Sequence, residues 1–189
     1  MITFSWGFFV GAAVFLLTLP INWVISVVTA AVFHEICHIL AVYVLGGRIL
    51  KMEIQFGGCR IDTTPIKEWK QFVCILAGPV GSLSLLFLCR TAPKIAICGV
   101  LQGLCNLIPV MPLDGGRLLQ LVLYRFCPQR AKEIADLIAV LICISVDLIA
   151  LGFSIGGNMR PAPFLLAFVW SLKVLPRKIP CKAAQIKVQ

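Results

Sequence analysis

Two histidines stand one helical turn apart in the almost wholly apolar stretch "FHEICHILAV", residues 33–42. At this spacing the imidazoles of His34 and His38 project from the same face of a helix, so both can bind one metal ion. Glu35 points about 100 degrees away around the helix. It is therefore a poor third ligand, but it is well placed to take a proton from a water molecule. The pattern predicts a metal centre with a general base beside it.

The alternative is that these are two packing histidines on an ordinary helix. The surrounding residues argue against it, because an ionisable group placed in hydrocarbon costs roughly 2.5–3.5 kcal/mol or more. A cluster of three such groups in an apolar helix indicates a function. His34 and His38 are also the only histidines of the chain.

A third metal ligand is expected in "NLIPVMPLDGGRLL", residues 106–119. Asp114 is the only acidic residue between Glu68 and Glu133. It follows two prolines, which prevent a regular helix, and precedes two glycines, which relax the backbone. Broken helices at membrane depth occur chiefly where they line a polar cavity. The alternative is that Asp114 caps a helix or pairs with Arg117.

The composition predicts one integral membrane domain. Of the 189 residues, 60% are hydrophobic and 13% charged, whereas about a quarter are charged in a soluble domain. We predict an all-α polytopic protein, with a short interfacial or re-entrant β-hairpin after the second span and no soluble domain. Six transmembrane spans are expected, and the first is interpreted as a retained span and not as a signal peptide. They lie roughly at 3–19, 23–45, 69–89, 95–110 running into 113–125, 134–153 and 161–175.

The positions of lysine and arginine predict the orientation. The 46–70 loop carries five, the 125–133 loop three and the tail from Lys173 five, against three on the alternate side. Because basic loops stay in the cytoplasm, both termini are expected there. The net charge of +9 is explained by these topology charges, and no nucleic-acid partner is predicted. The nine cysteines contain no Cys-x-x-Cys pair, so neither a disulfide framework nor a cysteine zinc site is indicated.

The HEICH motif followed by NLIPVMPLDGGR resembles the site-2 protease family of intramembrane zinc metalloproteases. That family pairs HExxH on one transmembrane helix with an Asn/Pro/Asp-Gly motif on another. The resemblance covers about 23–125 and implies that His34, His38 and Asp114 bind one Zn²⁺. It further implies that Glu35 is the catalytic base and that Asn106 helps to hold the substrate or the catalytic geometry. "LAGPVGSL" (76–83) is similar to the family's Gly-Pro segment, with Ser82 where asparagine is expected.

Within that family the chain is similar to the small bacterial branch that includes the stage IV sporulation protease, which processes a pro-sigma factor. This resemblance implies a multi-pass protein of the bacterial cell membrane. Its substrate would be a membrane-associated protein, and its regulators would be other membrane proteins. Two other hypotheses remain: a divalent-metal carrier that uses the same ligands, and a catalytically inactive membrane adaptor. Asp147, inside the fifth predicted span, is interpreted as a polar group that faces the bundle interior or as a gate or partner site.

Overall fold

The computed structural model describes residues 2–4, 16–17, 20–55, 58–64, 67–156 and 171, and these are mostly helical. A three-stranded sheet stands beside the helices. The elements are, in order, β1 (Ile2–Phe4), α1 (Ile21–Val44), β2 (Ile49–Gln55), β3 (Gly58–Thr63), α2 (Glu68–Ser84) followed by a 3₁₀ turn (Leu85–Leu88), α3 (Pro93–Asn106), α4 (Asp114–Phe126) and α5 (Ala131–Gly156).

Three of the described helices are long and apolar enough to cross a membrane. They are Ile21–Val44, Glu68–Leu88 and Ala131–Gly152, and they correspond to the spans predicted at 23–45, 69–89 and 134–153. The chain is thus a membrane protein. The span predicted at 161–175 lies outside the described residues except for Ser171, so the total of six spans stays a prediction.

The span predicted to run from 95–110 into 113–125 consists of two short helices, α3 and α4. The segment between them, 107–113, is not helical. The break that Pro109 and Pro112 predict in this segment is therefore present, although it begins earlier than expected, because α3 already ends at Asn106. Each proline removes a backbone N–H, and each ring clashes with the preceding helical turn.

The sheet contains one strand that the sequence did not predict. β2 and β3 pair antiparallel, and β1 pairs parallel with the other edge of β2, with Ile2 opposite Met52 and Phe4 opposite Ile54. Residues 3–4 were expected to begin the first span. The reason for the difference is that β2 offers a row of unpaired N–H and C=O groups, which a short β-branched and aromatic stretch can pair with. Most of the predicted 3–19 span lies outside the described residues.

Helix α1 packs against the other helices through one buried face. Ser26, Ala30, His34 and Val42 are buried at intervals of four or eight residues, which places them on one face of the helix. Small side chains at the start of this face allow close helix packing. The rest of the surface exposes large apolar side chains suited to lipid: Ile25, Val28, Val32, Ile36 and Leu40. The buried face meets α2 and α3, which also pack on each other.

The contact between α2 and α3 depends on the absence of a side chain at Gly99. A methyl group there would lie 2.6 Å from Leu85 Cδ1 and 2.9 Å from the carbonyl oxygen of Ser82. Both separations are well inside ordinary van der Waals contact, and the second atom is backbone. The two helices therefore approach as closely as a glycine permits.

Gly99→Ala is expected to destabilise the protein by about 1–3 kcal/mol, the usual cost of inserting a methyl group into a packed interior. Gly152→Ala is the matched control, because no atom of the described residues lies within 4 Å of a methyl group at that exposed helical position. The control should be neutral or slightly stabilising, since alanine favours a helix. Thermal unfolding midpoints in the same detergent measure both. Equal midpoints for the two variants would contradict the packing account.

Candidate metal centre

Three side chains from two distant segments of the chain converge at the centre of the bundle. Nε2 of His34, Nε2 of His38 and Oδ2 of Asp114 lie 3.1 Å from one another in each of the three pairings. His34 and Asp114 are buried and His38 is half-buried. Within the described ranges, these are the residues whose donor atoms form a group able to hold a metal ion.

The chemistry of these donors fits a cation. His38 Nδ1 lies 2.8 Å from the carbonyl oxygen of Cys74, which can only accept, so Nδ1 donates its proton there. The neutral ring then presents a lone pair at Nε2. That lone pair faces a carboxylate oxygen and a second imidazole nitrogen at 3.1 Å, an arrangement that is repulsive without a positive charge. In a tetrahedral zinc site with bonds of about 2.0–2.1 Å, ligand atoms lie about 3.3 Å apart, close to the observed spacing.

Helix α2 is shaped to receive the His38 ring. Pro79 lies inside this helix and lacks the N–H that would bond to the carbonyl of Ile75. The carbonyl of Cys74, one residue earlier, accepts a hydrogen bond from His38 Nδ1. Gly78 faces the ring: a methyl group at this position would lie 2.5 Å from His38 Cε1. The Gly-Pro pair of "LAGPVGSL" thus serves the site through the backbone of α2.

Ser82 is a site residue whose role the sequence left undetermined. Its side chain is fully buried, and its hydroxyl oxygen lies 2.8 Å from His34 Nδ1. This contact fixes the orientation of the His34 ring and leaves Nε2 to face the other donors. Histidine ligands are commonly held by such a partner on the second nitrogen. The sequence feature that pointed to this residue is the Gly-Pro segment, where Ser82 occupies the position at which the family resemblance predicts the larger asparagine. The structure shows that this position has no exposed surface.

Asp114 is positioned by the irregular segment that precedes it. It is the first residue of α4, and Gly116 brings this turn against the backbone of that segment, where a methyl group would lie 2.6 Å from Met111 N. Its carboxylate faces two ways, since Oδ2 faces the histidines and Oδ1 lies 3.8 Å from Arg117 Nη1. Pairing with Arg117, the alternative drawn from the sequence, is therefore present together with the histidine contacts. No side-chain capping bond precedes α4.

The remaining predicted residues lie at different distances from the cluster. Asn106, the last residue of α3, places Nδ2 3.4 Å from His34 Nε2. Glu35 is half-buried on α1, beside His34 in the chain. Asp147 lies on α5 and is not part of the three-residue group. One of its oxygens, Oδ1, is buried and has no hydrogen-bond partner among the described residues.

The fold and the site together define a class: a helical membrane protein with a preformed group of two imidazoles and one carboxylate. The sequence model of Peptidase family M50, the site-2 protease family, matches residues 87–146. This segment contains Asn106 and Asp114, and the two histidines precede it. The fold is similar to that of the site-2 protease from Methanocaldococcus jannaschii, with a TM-score of 0.61 and 21% identity over 90% of this chain and 86% of that chain.

A curated relative adds a likeness in sequence. The chain is 30% identical over 135 residues to the Synechocystis sp. (strain ATCC 27184 / PCC 6803 / Kazusa) protein named "Putative zinc metalloprotease sll0528". The match covers 59% of this chain and 35% of the relative, so the chain spans about a third of that protein's length. Together these matches confirm the resemblance to the site-2 protease family that the two motifs predict.

Ser82→Ala is expected to lower zinc affinity about 10- to 100-fold, the usual effect of removing a partner of a ligating histidine. The buried Nδ1 of His34 would lose its hydrogen bond, and the ring would no longer be held. Zinc competition against a chromophoric chelator measures the change. Ser84→Ala is the control, because the Ser84 hydroxyl donates to the Gly81 carbonyl on an exposed face of the helix. Unchanged affinity in Ser82→Ala would exclude this orienting role.

Proposed function

We propose that the chain is an intramembrane zinc metalloprotease that hydrolyses a peptide bond in or near the membrane-associated segment of a protein substrate. The observation that carries this proposal is the convergence of the two histidine nitrogens and the Asp114 oxygen at 3.1 Å among apolar helices. The resemblance to zinc metalloproteases of the site-2 family supports the same activity.

His34, His38 and Asp114 would hold one zinc ion per chain. When bound, zinc supplies Lewis acidity, which polarises a peptide carbonyl and makes a water molecule easier to deprotonate. The two imidazoles are neutral donors and Asp114 carries one negative charge, so the protein leaves the ion a net positive charge. In apolar surroundings the local dielectric constant is low, so the electrostatic attraction between this charge and a peptide carbonyl is stronger than in water.

Glu35 would act as the general base. It follows His34 directly in α1, so its carboxylate lies on the neighbouring face of the same helix. In this role it takes a proton from the attacking water and then gives the proton to the leaving amine. The amide of Asn106, 3.4 Å from His34 Nε2, would hold the substrate peptide or maintain the geometry of the histidine.

The substrate must present an extended peptide, because a helix hides its amide bonds. The sheet supports one route to this conformation. In the strand order β1-β2-β3, β3 has no further strand beside it among the described residues, and an extended segment can pair with such an edge. Unwinding and strand pairing would bring a scissile bond from the helical membrane segment into reach of the site.

The proposed substrate, regulators and location of the protein rest on its resemblance to the small bacterial branch of the site-2 protease family. A membrane-associated pro-sigma factor is the substrate that this branch suggests, with sporulation as the setting and other membrane proteins as regulators. The protein would then lie in the bacterial cell membrane with both termini in the cytoplasm, as the basic loops predict.

A divalent-metal carrier is the second candidate, and one observation favours it. Asp147 places a further carboxylate oxygen at a buried position within the candidate span of α5, and ionisable residues at such positions often mark ion pathways. The protease and the carrier differ in their need for Glu35, because transport requires ligands but no general base.

Glu35→Gln is expected to keep bound zinc and to lower peptide cleavage by about 100-fold or more, since general-base catalysis contributes roughly 10²–10⁴. The assay uses the protein in lipid vesicles with single-span peptides that contain a helix-breaking residue, and mass spectrometry detects the new termini. Glu68→Gln, at an exposed acidic position on α2, is the matched control and should cleave normally. Cleavage at the parental rate in Glu35→Gln would refute the mechanism. Zinc uptake into vesicles by the parent would favour the carrier.

Asp114→Ala is expected to lose most of the metal that the parent retains, about one zinc per chain. Removing one of three ligands leaves a two-histidine site, which is incomplete for zinc. Metal per chain is measured by plasma mass spectrometry after dialysis. Asp147→Ala is the control for loss of a membrane carboxylate and should retain its metal. Equal metal in Asp114→Ala and the parent would show that Asp114 is not the third ligand.

A further inference from the structure

A groove of about 600 Å³ opens between the beginning of α2 and the end of α4. Its volume is within the range of small-molecule sites. Lys67 and Arg125 line it together with the aromatic side chains of Trp69, Phe72 and Phe126. The metal centre does not use these residues.

The groove lies where a membrane surface is expected. Glu68 is the first residue of a candidate span, so Trp69 and Phe72 stand within its first turns. Helix α4 begins at the buried Asp114 and ends at Phe126, a distance of about 20 Å at 1.5 Å per residue. Its last turn lies beside the beginning of α2, because Arg125 Nη1 is 3.8 Å from Glu68 Oε2. Tryptophan and basic residues at the ends of spans are typical of the interface between lipid and water.

The charges around the groove favour an anion. Lys67 and Arg125 line it. Glu68 is the one acidic residue in the lining, and its Oε2 lies 3.8 Å from Arg125 Nη1. Their side chains are 70% and 74% exposed, and such surface pairs contribute little. Arg125 is therefore available to a stronger anion such as a phosphate.

The apolar part of the groove favours a lipid over an acidic peptide. Phe72 and Val122 are exposed at 40% and 41%. They continue into the apolar outer surface of α2, where Val73 and Val80 are also exposed. A phospholipid has a phosphate next to its acyl chains, so it can contact the basic and the apolar residues together. An acidic peptide would contact the basic residues and leave the apolar residues exposed.

We propose that this groove binds an anionic phospholipid, with Lys67 and Arg125 on the phosphate and Trp69, Phe72 and Phe126 along the first part of the acyl chain. The bound lipid ties the beginning of α2 to the end of α4. These two helices carry Ser82 and Asp114 of the metal centre. The proposal does not depend on proteolytic activity, because the groove and its test involve neither zinc nor cleavage.

The test measures which lipid the purified full-length protein retains. The protein in detergent is incubated with equal amounts of phosphatidylglycerol and phosphatidylcholine, and native mass spectrometry gives the ratio of the two lipids bound per chain. The parent should prefer phosphatidylglycerol. The double variant Lys67→Gln, Arg125→Gln should lose that preference by about fivefold for each charge removed, whereas Arg125→Lys should keep it.

Lys94→Gln is the matched control. Lys94 lies over a tryptophan ring, with Nζ 5.8 Å from the ring of Trp23, but at the beginning of α3 and outside the groove. Its loss should leave the preference unchanged. If the double variant does not give a monodisperse preparation, Lys67→Gln alone should show about one fivefold loss.

Four outcomes would overturn the proposal. They are no preference in the parent, an unchanged preference in the charge-removal variants, an equal loss in Lys94→Gln, and displacement of the lipid by glycerol phosphate or an acidic peptide at equal concentration. The last result would identify a free anion or a peptide as the ligand.

Discussion

The arrangement of the bundle depends on bringing three electron-rich atoms together inside apolar helices. Nε2 of His34, Nε2 of His38 and Oδ2 of Asp114 lie 3.1 Å apart. Without a shared proton or a cation these atoms repel each other, and hydrocarbon provides no water to screen them. A cation reverses the sign of this interaction. The buried group is therefore one that could hold a metal ion, and the surrounding elements position its three side chains.

Two of the segments around the group contain features that interrupt or modify a regular helix. Helix α2 carries Pro79 at the turn whose Cys74 carbonyl holds His38, and it lacks a side chain at Gly78, where the ring packs. The chain between α3 and α4 is not helical, and this places Asp114 at a helix beginning instead of along a span. Irregular backbone is tolerated at membrane depth where protein surrounds it or a cavity lies beside it. The places where the helices are interrupted or lack a side chain thus lie next to the three clustered side chains.

The sequence predicted the residues of the group because their chemistry is rare in an apolar chain. His34 and His38 share a helical face by spacing alone, and Asp114 is an isolated acid between prolines and glycines. The sequence placed a break at Pro109 and Pro112 but extended the first helix to residue 110, since hydropathy stays high there and proline marks only a probable helix end; the structure ends α3 at Asn106. β1 was missed because pairing with β2 is a long-range contact that no local pattern encodes.

The role of Ser82 could not be assigned from sequence for a related reason. Serine is common on membrane helices, and its hydroxyl can donate to a backbone carbonyl of the preceding helical turn, as Ser84 does to Gly81. Its contact with His34 depends on how α1 and α2 pack. That packing places Ser82 Oγ 2.8 Å from His34 Nδ1, although the two residues are 48 positions apart in the sequence. The groove at the ends of α2 and α4 likewise arises from packing, because the sequence separates its two walls by about fifty residues.

The most direct test of this account is the ligand set of the bound metal, measured by X-ray absorption on the zinc-loaded full-length protein in detergent. The account predicts a first shell of nitrogen and oxygen at about 2.0–2.1 Å, with multiple scattering from two imidazoles. Cys37 on α1 and Cys74 on α2 are free thiols. A sulfur contribution at about 2.3 Å, or scattering from fewer than two imidazoles, would contradict the His34, His38 and Asp114 site.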